Sequence, residues 1–391
     1  MKMEPSRPTG PIDAMEGEAR GPLDGALVVD LSRMLPGAVV VRQLVDLGAR
    51  VIKVEPQGGD PMRILPPMVG PVGAGFSAFF RGVESVCLAL DQDEDRRSLW
   101  RIIERADVVL TSFRPSTMEK WGLAPKVMAA KNPSLVVCSL SGYPTIGPHA
   151  DEPGHDLNFV ARSGALTAMR SRGVPLIQLA DVSAGLMAVS SILAALLART
   201  RTGRGTTIEQ PLSSGPIPFL TWPMADRAAG GGAGIVDDIL GGVCPGYRIY
   251  DCADGRQVSV ATVEMKFWNE LMAMMGLEEL RGQGMVTGAE ADRVATLVQQ
   301  CFANESATVW LERTARQQLP VTLVTDLGEA VRLGYEGLVA RTERLGQAGE
   351  GLVPGPWLAP GRTPGRRAPT LGEDQDRILE EFDGFERMGE E

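Results

Sequence analysis

Short runs of consecutive apolar residues alternate with helically spaced stretches through the first half of the chain. Ala26-Leu27-Val28-Val29-Asp30-Leu31 fits a strand buried on both faces. A helix is predicted from Pro36-Gly37 through Val45 to about Leu47, where Gly48 stops it. Arg50-Val51-Ile52-Lys53-Val54-Glu55 reads as a second strand. A strand–helix–strand unit of this kind predicts a right-handed crossover and a doubly wound, mostly parallel sheet. The alternation continues with a helix over 92–106, a strand over 107–110, short helices near Thr117 and Pro125, and a strand over 135–138. A long apolar run from Leu186 to Leu197 reads as a buried helix, and a strand over 206–209 follows it. Ligands in such sheets bind beyond the carboxyl ends of the strands, where residues 140–156 fall.

After a Pro-rich link around Pro216 to Pro223, two glycine clusters, Gly230-Gly231-Gly232 and Gly241-Gly242, bracket a flexible loop. These glycines and Gly73-Ala74-Gly75 lack the strand and helix context of a phosphate cradle. From Tyr247 the pattern changes. Residues 247–250 and 257–260 flank Asp254-Gly255, a hairpin signal, and helices are predicted over 267–275 and 291–302. The expected organisation is a tail over 1–24, a large α/β domain over 25–225, a smaller α+β domain over 240–340, and a return to the large domain over 350–391.

Composition narrows the function classes. Apolar residues make up 44% and charged residues 23% of 391 positions, ordinary values for a globular protein. The net charge of -10 and pI of about 5.0 argue against a nucleic-acid surface. The five cysteines, Cys87, Cys138, Cys244, Cys252 and Cys301, are widely spaced without a Cys-x-x-Cys, which fits a reducing cytoplasm. His149 and His155 are the only histidines and share one loop region, so no metal site is expected. Residues 1–20 lack the apolar segment of a signal peptide and read as a mobile tail. No run is read as a membrane span, and no membrane partner is expected.

The candidate chemistry lies between Gly154 and Asp181. His155 can give or take a proton near neutral pH, Asp156 stands beside it, and Asp181 precedes the long apolar helix. If His155 opens a helix through Asp156 to Val160, each helix start carries an ionisable group near backbone N–H donors that favour negative charge, which suits a reaction that builds an anion between an acid and a base. Each residue also has a plainer role open to it. Asp181 is a good N-cap, His155 can be a satisfied polar residue, and Asp156 can simply orient the imidazole.

Pro153-Gly154-His155-Asp156-Leu157-Asn158-Phe159, preceded by Gly147-Pro148 and followed by Ser163-Gly164, resembles the "GP…AGHDINY…SG" run of 2-methylacyl-CoA racemases. These belong to the family III CoA-transferases. Asp30-Leu31-Ser32-Arg33, Pro36-Gly37, Asp46-Leu47-Gly48-Ala49 and Val51-Ile52-Lys53-Val54-Glu55 are similar to that family's opening, and Phe113-Arg114-Pro115 with Trp121-Gly122-Leu123 is similar to its "RPG…RLGL" segment. The resemblance spans roughly residues 25 to 385.

It implies a Rossmann-like large domain, an interlocked homodimer, and a coenzyme A thioester as substrate with no tightly bound cofactor. It also implies roles: His155, oriented by Asp156, and Asp181 as acid and base, Glu264 at the edge of the active site, and Lys53, Arg81 and Arg114 near the phosphates of CoA. Three activities follow as expectations. The first is inversion at C2 of a 2-methylacyl-CoA. The second is CoA transfer between carboxylic acids through Asp181 as nucleophile. The third is a repurposed member that binds without turnover. The third is motivated by Gly142-Tyr143-Pro144-Thr145 in place of "GYGQ", and by Val83 and Glu84 where the family's "NRGKRS" turn carries basic residues.

Overall fold

A computed structural model describes residues 21–170, 173–230, 239–332, 342–345, 351–354 and 367–383. Residues 1–20 of the expected tail, most of the glycine-bracketed loop and much of 350–391 lie outside these. The chain forms two compact units, residues 1–216 with 333–391, and residues 217–332.

The first unit is built on six parallel strands: β1 (Leu27–Leu31), β2 (Arg50–Glu55), β3 (Glu84–Cys87), β4 (Val108–Thr111), β5 (Val136–Ser141) and β6 (Thr207–Pro211). Their order in the sheet is β3-β2-β1-β4-β5-β6. That order reverses direction between β1 and β4, so a crevice opens there at the carboxyl ends. Side chains alternate across each strand. Val28 and Val51 therefore face one helical layer, and Val29 and Ile52 the other. On the first face lie α1 (Met34–Asp46) and, later in the chain, a 24-residue helix, Leu179–Thr202. Between them in sequence come α2 (Ala74–Phe79), α3 (Asp93–Ile103), α4 (Pro115–Lys120), α5 (Pro125–Lys131), α6 (Asp156–Ser163) and α7 (Ala165–Ala168). The long helix is thus α8. Leu99, Ile102 and Ile103 of α3, Met118 of α4 and Met128 of α5 fill the second face. Each such buried side chain contributes about 1.5–3 kcal/mol.

α8 departs from expectation in two ways. Its length and mean hydropathy of 1.8 meet the requirement for crossing a membrane, though no run was read so from the sequence. In the fold, one side packs on α1: a Cβ at Gly185 would lie 2.9 Å from Val39 and 3.1 Å from the Pro36 carbonyl, so only glycine permits this approach. Its start also differs. The helix begins at Leu179 with Gln178 as N-cap, which places Asp181 in the first turn rather than at the cap.

The second unit opens with a further correction. The predicted Pro-rich link is α9 (Ile217–Ala228). Pro218 falls in its first turn, where a missing N–H costs nothing, and Pro223 is carried inside. A three-stranded antiparallel sheet follows, formed by β7 (Tyr247–Asp251), β8 (Gln257–Ala261) and β9 (Val321–Leu323) in the order β9-β8-β7. The β7–β8 turn uses Gly255 at φ 74°, the left-handed region glycine tolerates. Helices α10 (Met265–Met275), α11 (Gly288–Phe302), α12 (Ala307–Arg316) and α13 (Leu327–Arg332) complete the unit. Its core holds Trp268, Leu271, Val298, Phe302 and Trp310, and the Trp268 Nε1–H donates to the Leu280 carbonyl at 2.8 Å.

The C-terminal helix, Gln375–Asp383, returns to the first unit and protects its sheet edge. Ile378 and Phe382 enter the core beside α3. The outward N–H groups of edge strand β3 are taken by side chains, Ser85 N by Asp374 Oδ2 at 3.0 Å and Cys87 N by Gln375 Oε1 at 3.0 Å. An edge so occupied cannot recruit another strand.

Candidate active site

His155, Asp156 and Asp181 lie at the starts of α6 and α8. His155 is the N-cap of α6, its N–H donating to Asn158 Oδ1 at 3.0 Å, and its imidazole is exposed. The loop reaches this position because Gly154 lies against the buried Phe159 ring. A Cβ there would come within 2.7 Å of Phe159 Cε1. Asp156 begins α6, and its Oδ1 accepts the backbone N–H of Asp181 at 3.0 Å. One hydrogen bond thus ties the two helix starts together across 25 residues of chain.

Asp181 is partly buried in the first turn of α8. Burial pushes its carboxyl up to about 7, and the neighbouring Asp156 carboxylate adds to the rise. A carboxyl that titrates near neutrality both releases and accepts protons at working pH, the property general acid–base chemistry needs. The α8 N-terminus also presents backbone N–H groups that favour a developing anion.

A cavity of about 510 Å³ opens at the carboxyl ends of β1, β2, β3 and β4. Its walls include Arg33, Gln57, Leu88, Gln92, Phe113 and Trp121. The Arg33 guanidinium lies 4.7 Å from the Phe113 ring centroid, and Phe113 meets Trp121 edge-on at 4.8 Å. A cation beside two aromatic rings suits a planar ligand, while Glu55 and Asp91 in the same lining restrict an anionic group to the Arg33 side. Arg33, Phe113 and Trp121 were not among the residues singled out for binding. The signal that points to them is positional: Arg33 and Phe113 follow the two strands that flank the reversal of strand order.

The expected phosphate ligands fare differently. Arg114 is exposed, caps α4 and adjoins Phe113. Arg81 is partly buried at the amino end of β3, away from the carboxyl-end cavity. Lys53 is a correction: it is 1% exposed, and its Nζ contacts Asp30 Oδ2 at 3.0 Å, the Ser32 carbonyl at 3.1 Å and Asp60 Oδ2 at 3.1 Å. Two hydrogen bonds and an ion pair hold the ammonium inside the fold, and at 1% exposure it is closed off from a phosphate. Burial pulls the Lys53 value down, but Asp30, Asp60 and Glu55 more than reverse this and hold it above its ordinary value. Glu264 belongs to the second unit, where it is the exposed N-cap of α10.

The Val83 and Glu84 departures have a structural reason. Val83 is in the core, and Glu84 accepts from Arg50 at 2.8 Å and Arg377 at 3.0 Å, linking β2, β3 and the C-terminal helix. Neither residue lines the cavity.

The parallel sheet carries two aspartates at adjoining helix starts and, at its carboxyl end, a cavity that sets Arg33 beside two aromatic rings, with Glu55 and Asp91 also in its lining; this is an α/β fold with acid–base groups beside a ligand-sized opening. The family model "CoA-transferase family III" matches residues 23–375, and the chain belongs to that family. It is 30% identical over 382 residues to the acetyl-CoA:oxalate CoA-transferase of Acetobacter aceti, covering 93% of this chain and 96% of that protein. It is 31% identical over 377 residues to the alpha-methylacyl-CoA racemase of Mus musculus, covering 93% of each. Among solved structures, a CAIB/BAIF family protein from Brucella suis matches with a TM-score of 0.76 at 27% identity, covering 93% of this chain and 100% of that one.

Proposed function

We propose that this enzyme inverts the C2 centre of a 2-methylacyl-CoA thioester by proton transfer. The observation that carries this reading is the Asp181 carboxyl, raised to about 7 and tied by its backbone N–H to Asp156, the residue after His155 at the adjoining helix start. One of His155 and Asp181 takes the C2 proton and leaves an enolate whose oxygen is held by N–H donors. The other then delivers a proton to the opposite face. Swapping roles lets either epimer react, and each partner must be able to hold and to lose a proton near neutral pH. Asp156 keeps the two helix starts in register. The nucleotide end of the CoA thioester occupies the 510 Å³ cavity, with Arg33 against its phosphates and Phe113 and Trp121 against its base.

A second reading rests on the 93% coverage by the oxalate CoA-transferase. In it, ionised Asp181 attacks the thioester carbonyl and expels CoA thiolate, leaving a mixed anhydride; the thiolate attacks the aspartyl carbonyl and expels the donor carboxylate, and an acceptor carboxylate then takes the same two steps in reverse, which carries CoA away and frees Asp181. Burial raises the Asp181 carboxyl and disfavours its ionised form, which suits proton exchange better than nucleophilic attack.

The working form is a homodimer. Leu186 and Leu197 of α8, and Phe219, Trp222 and Met224 of α9, leave large apolar side chains exposed for a second copy to cover. A monomeric mass in solution would overturn that. The cytoplasm is the proposed compartment, since the five cysteines are separate thiols.

The deciding experiment incubates the protein with 2-methylacyl-CoA in deuterated water and follows label at C2 by mass spectrometry. Exchange that disappears in both His155→Ala and Asp181→Ala is the expected result. A CoA adduct on Asp181 without exchange would establish transfer instead.

A further inference from the structure

The turn after β1 that carries Arg33 is pinned at four backbone groups by side chains beneath it. Asp30 Oδ1 accepts from the Ser32 N–H at 2.8 Å and from the Ser32 hydroxyl at 2.5 Å. Lys53 Nζ donates to the Ser32 carbonyl at 3.1 Å. Ser112 Oγ, at the end of β4, accepts the Arg33 N–H at 2.9 Å. Asp60 Oδ2 accepts the Met34 N–H at 3.4 Å and meets Lys53 Nζ at 3.1 Å. Met34 is held at φ 62°, a left-handed conformation that costs a non-glycine residue energy and persists only where surroundings enforce it. Gly37 leaves room for the turn, since a Cβ there would lie 1.7 Å from Ser32 Oγ.

Asp30, Lys53 and Asp60 are 0%, 1% and 2% exposed. Burying three charges is a poor route to stability, because well-packed apolar residues of similar volume often do as well. What the charged set supplies that an apolar set cannot is direction: each donor and acceptor grips one named atom of the turn. The free product of that grip is the Arg33 side chain, exposed and aimed along the Phe113 wall of the cavity.

We propose that Lys53, Asp60 and Ser112 are positioning residues for substrate binding, holding the Ser32-Arg33-Met34 turn so that Arg33 meets the phosphorylated nucleotide end of the CoA thioester. This rests on the reading that the cavity holds that nucleotide. Lys53 therefore acts on the substrate through Arg33 and never touches it.

The test is a double-mutant cycle read by CoA binding in calorimetry. Arg33→Ala weakens CoA directly. Ser112→Ala, a mild change at a partly exposed residue, weakens it roughly 3- to 10-fold through loss of one hydrogen bond. In the Arg33→Ala background, Ser112→Ala has no further effect, because the group it positions is gone. With 2-methylacyl-CoA the single change raises KM and spares kcat. Lys53→Met, where circular dichroism shows it folded, follows the same non-additive pattern more strongly. If the Ser112 and Arg33 effects multiply, or if kcat falls with KM, the pins are merely structural and the positioning role is wrong. If Arg33→Ala leaves CoA binding unchanged, the nucleotide reading of the cavity falls, and this proposal with it.

Discussion

Replacing Asp181 by asparagine should stabilise the protein above neutral pH while destroying its activity. The carboxyl is raised from 3.8 to about 7 because burial disfavours its charge, with repulsion from Asp156 adding to the effect. An acid whose folded-state value exceeds its unfolded value binds its proton more tightly in the folded chain. Its contribution to stability is therefore complete below 3.8, declines as pH rises, and is lost once pH passes about 7. At ~1.4 kcal/mol per pH unit, that interval amounts to about 4 kcal/mol. Asparagine keeps the size of the side chain and the backbone N–H that Asp156 Oδ1 accepts at 3.0 Å, and it carries no charge at any pH. Urea unfolding of both proteins, run in parallel from about pH 4 to about pH 9, isolates the effect, since titrating groups other than the coupled Asp156 cancel in the difference. The variant should match the wild type at about pH 4, gain on it steadily, and level off above about pH 7 with an advantage of up to about 4 kcal/mol. A difference independent of pH, or a variant less stable than wild type at about pH 8, would refute burial as the source of the raised value.

Other consequences of the packing can be checked independently. Gly185→Ala places a Cβ 2.9 Å from Val39 and should cost about 1–3 kcal/mol, seen as a lower urea midpoint at unchanged slope. Trp268→Ala removes a side chain that is 1% exposed and should cost about 3–5 kcal/mol. Its signature is faster hydrogen exchange in β7, β8 and β9. Arg50→Ala breaks the 2.6 and 2.7 Å bonds to Glu381 and the 2.8 Å bond to Glu84. These groups are partly exposed and contribute under about 1 kcal/mol, so exchange at the Ser85 and Cys87 amides should quicken by only a few-fold.

Where one local signal dominates, the chain could be read directly. The strands of the parallel sheet are nearly unbroken apolar runs, and β2 spans the residues the pattern predicts, 50–55. The hairpin around Asp254-Gly255 was equally plain, because the turn needs a residue at positive φ and glycine supplies it. Reading failed where two local signals compete. In α9, Pro216 and Pro223 read as punctuation, yet the apolar residues between them form a helix that carries the inner proline. At α8, aspartate is the better cap by type, but the cap is Gln178, three residues earlier, which moves Asp181 from capping to a place where burial can raise its carboxyl.

Lys53 shows a deeper limit. Alone, a lysine inside an apolar strand looks like an exception awaiting a ligand, and so does Asp30 in the strand before it. They are direct neighbours in the parallel register of β1 and β2, and the ammonium and carboxylate meet at 3.0 Å. Neither strand's own pattern contains that register. It comes from the crossover through α1, whose length and packing decide which residue of β2 lies beside Asp30. A charge at matching depth in two consecutive buried strands is therefore better read first as a pair, and only then as a binding group. Applied here, that order of reading moves attention from Lys53 to Arg33, the exposed arginine whose turn the buried pair supports and which the proposed function sets against CoA.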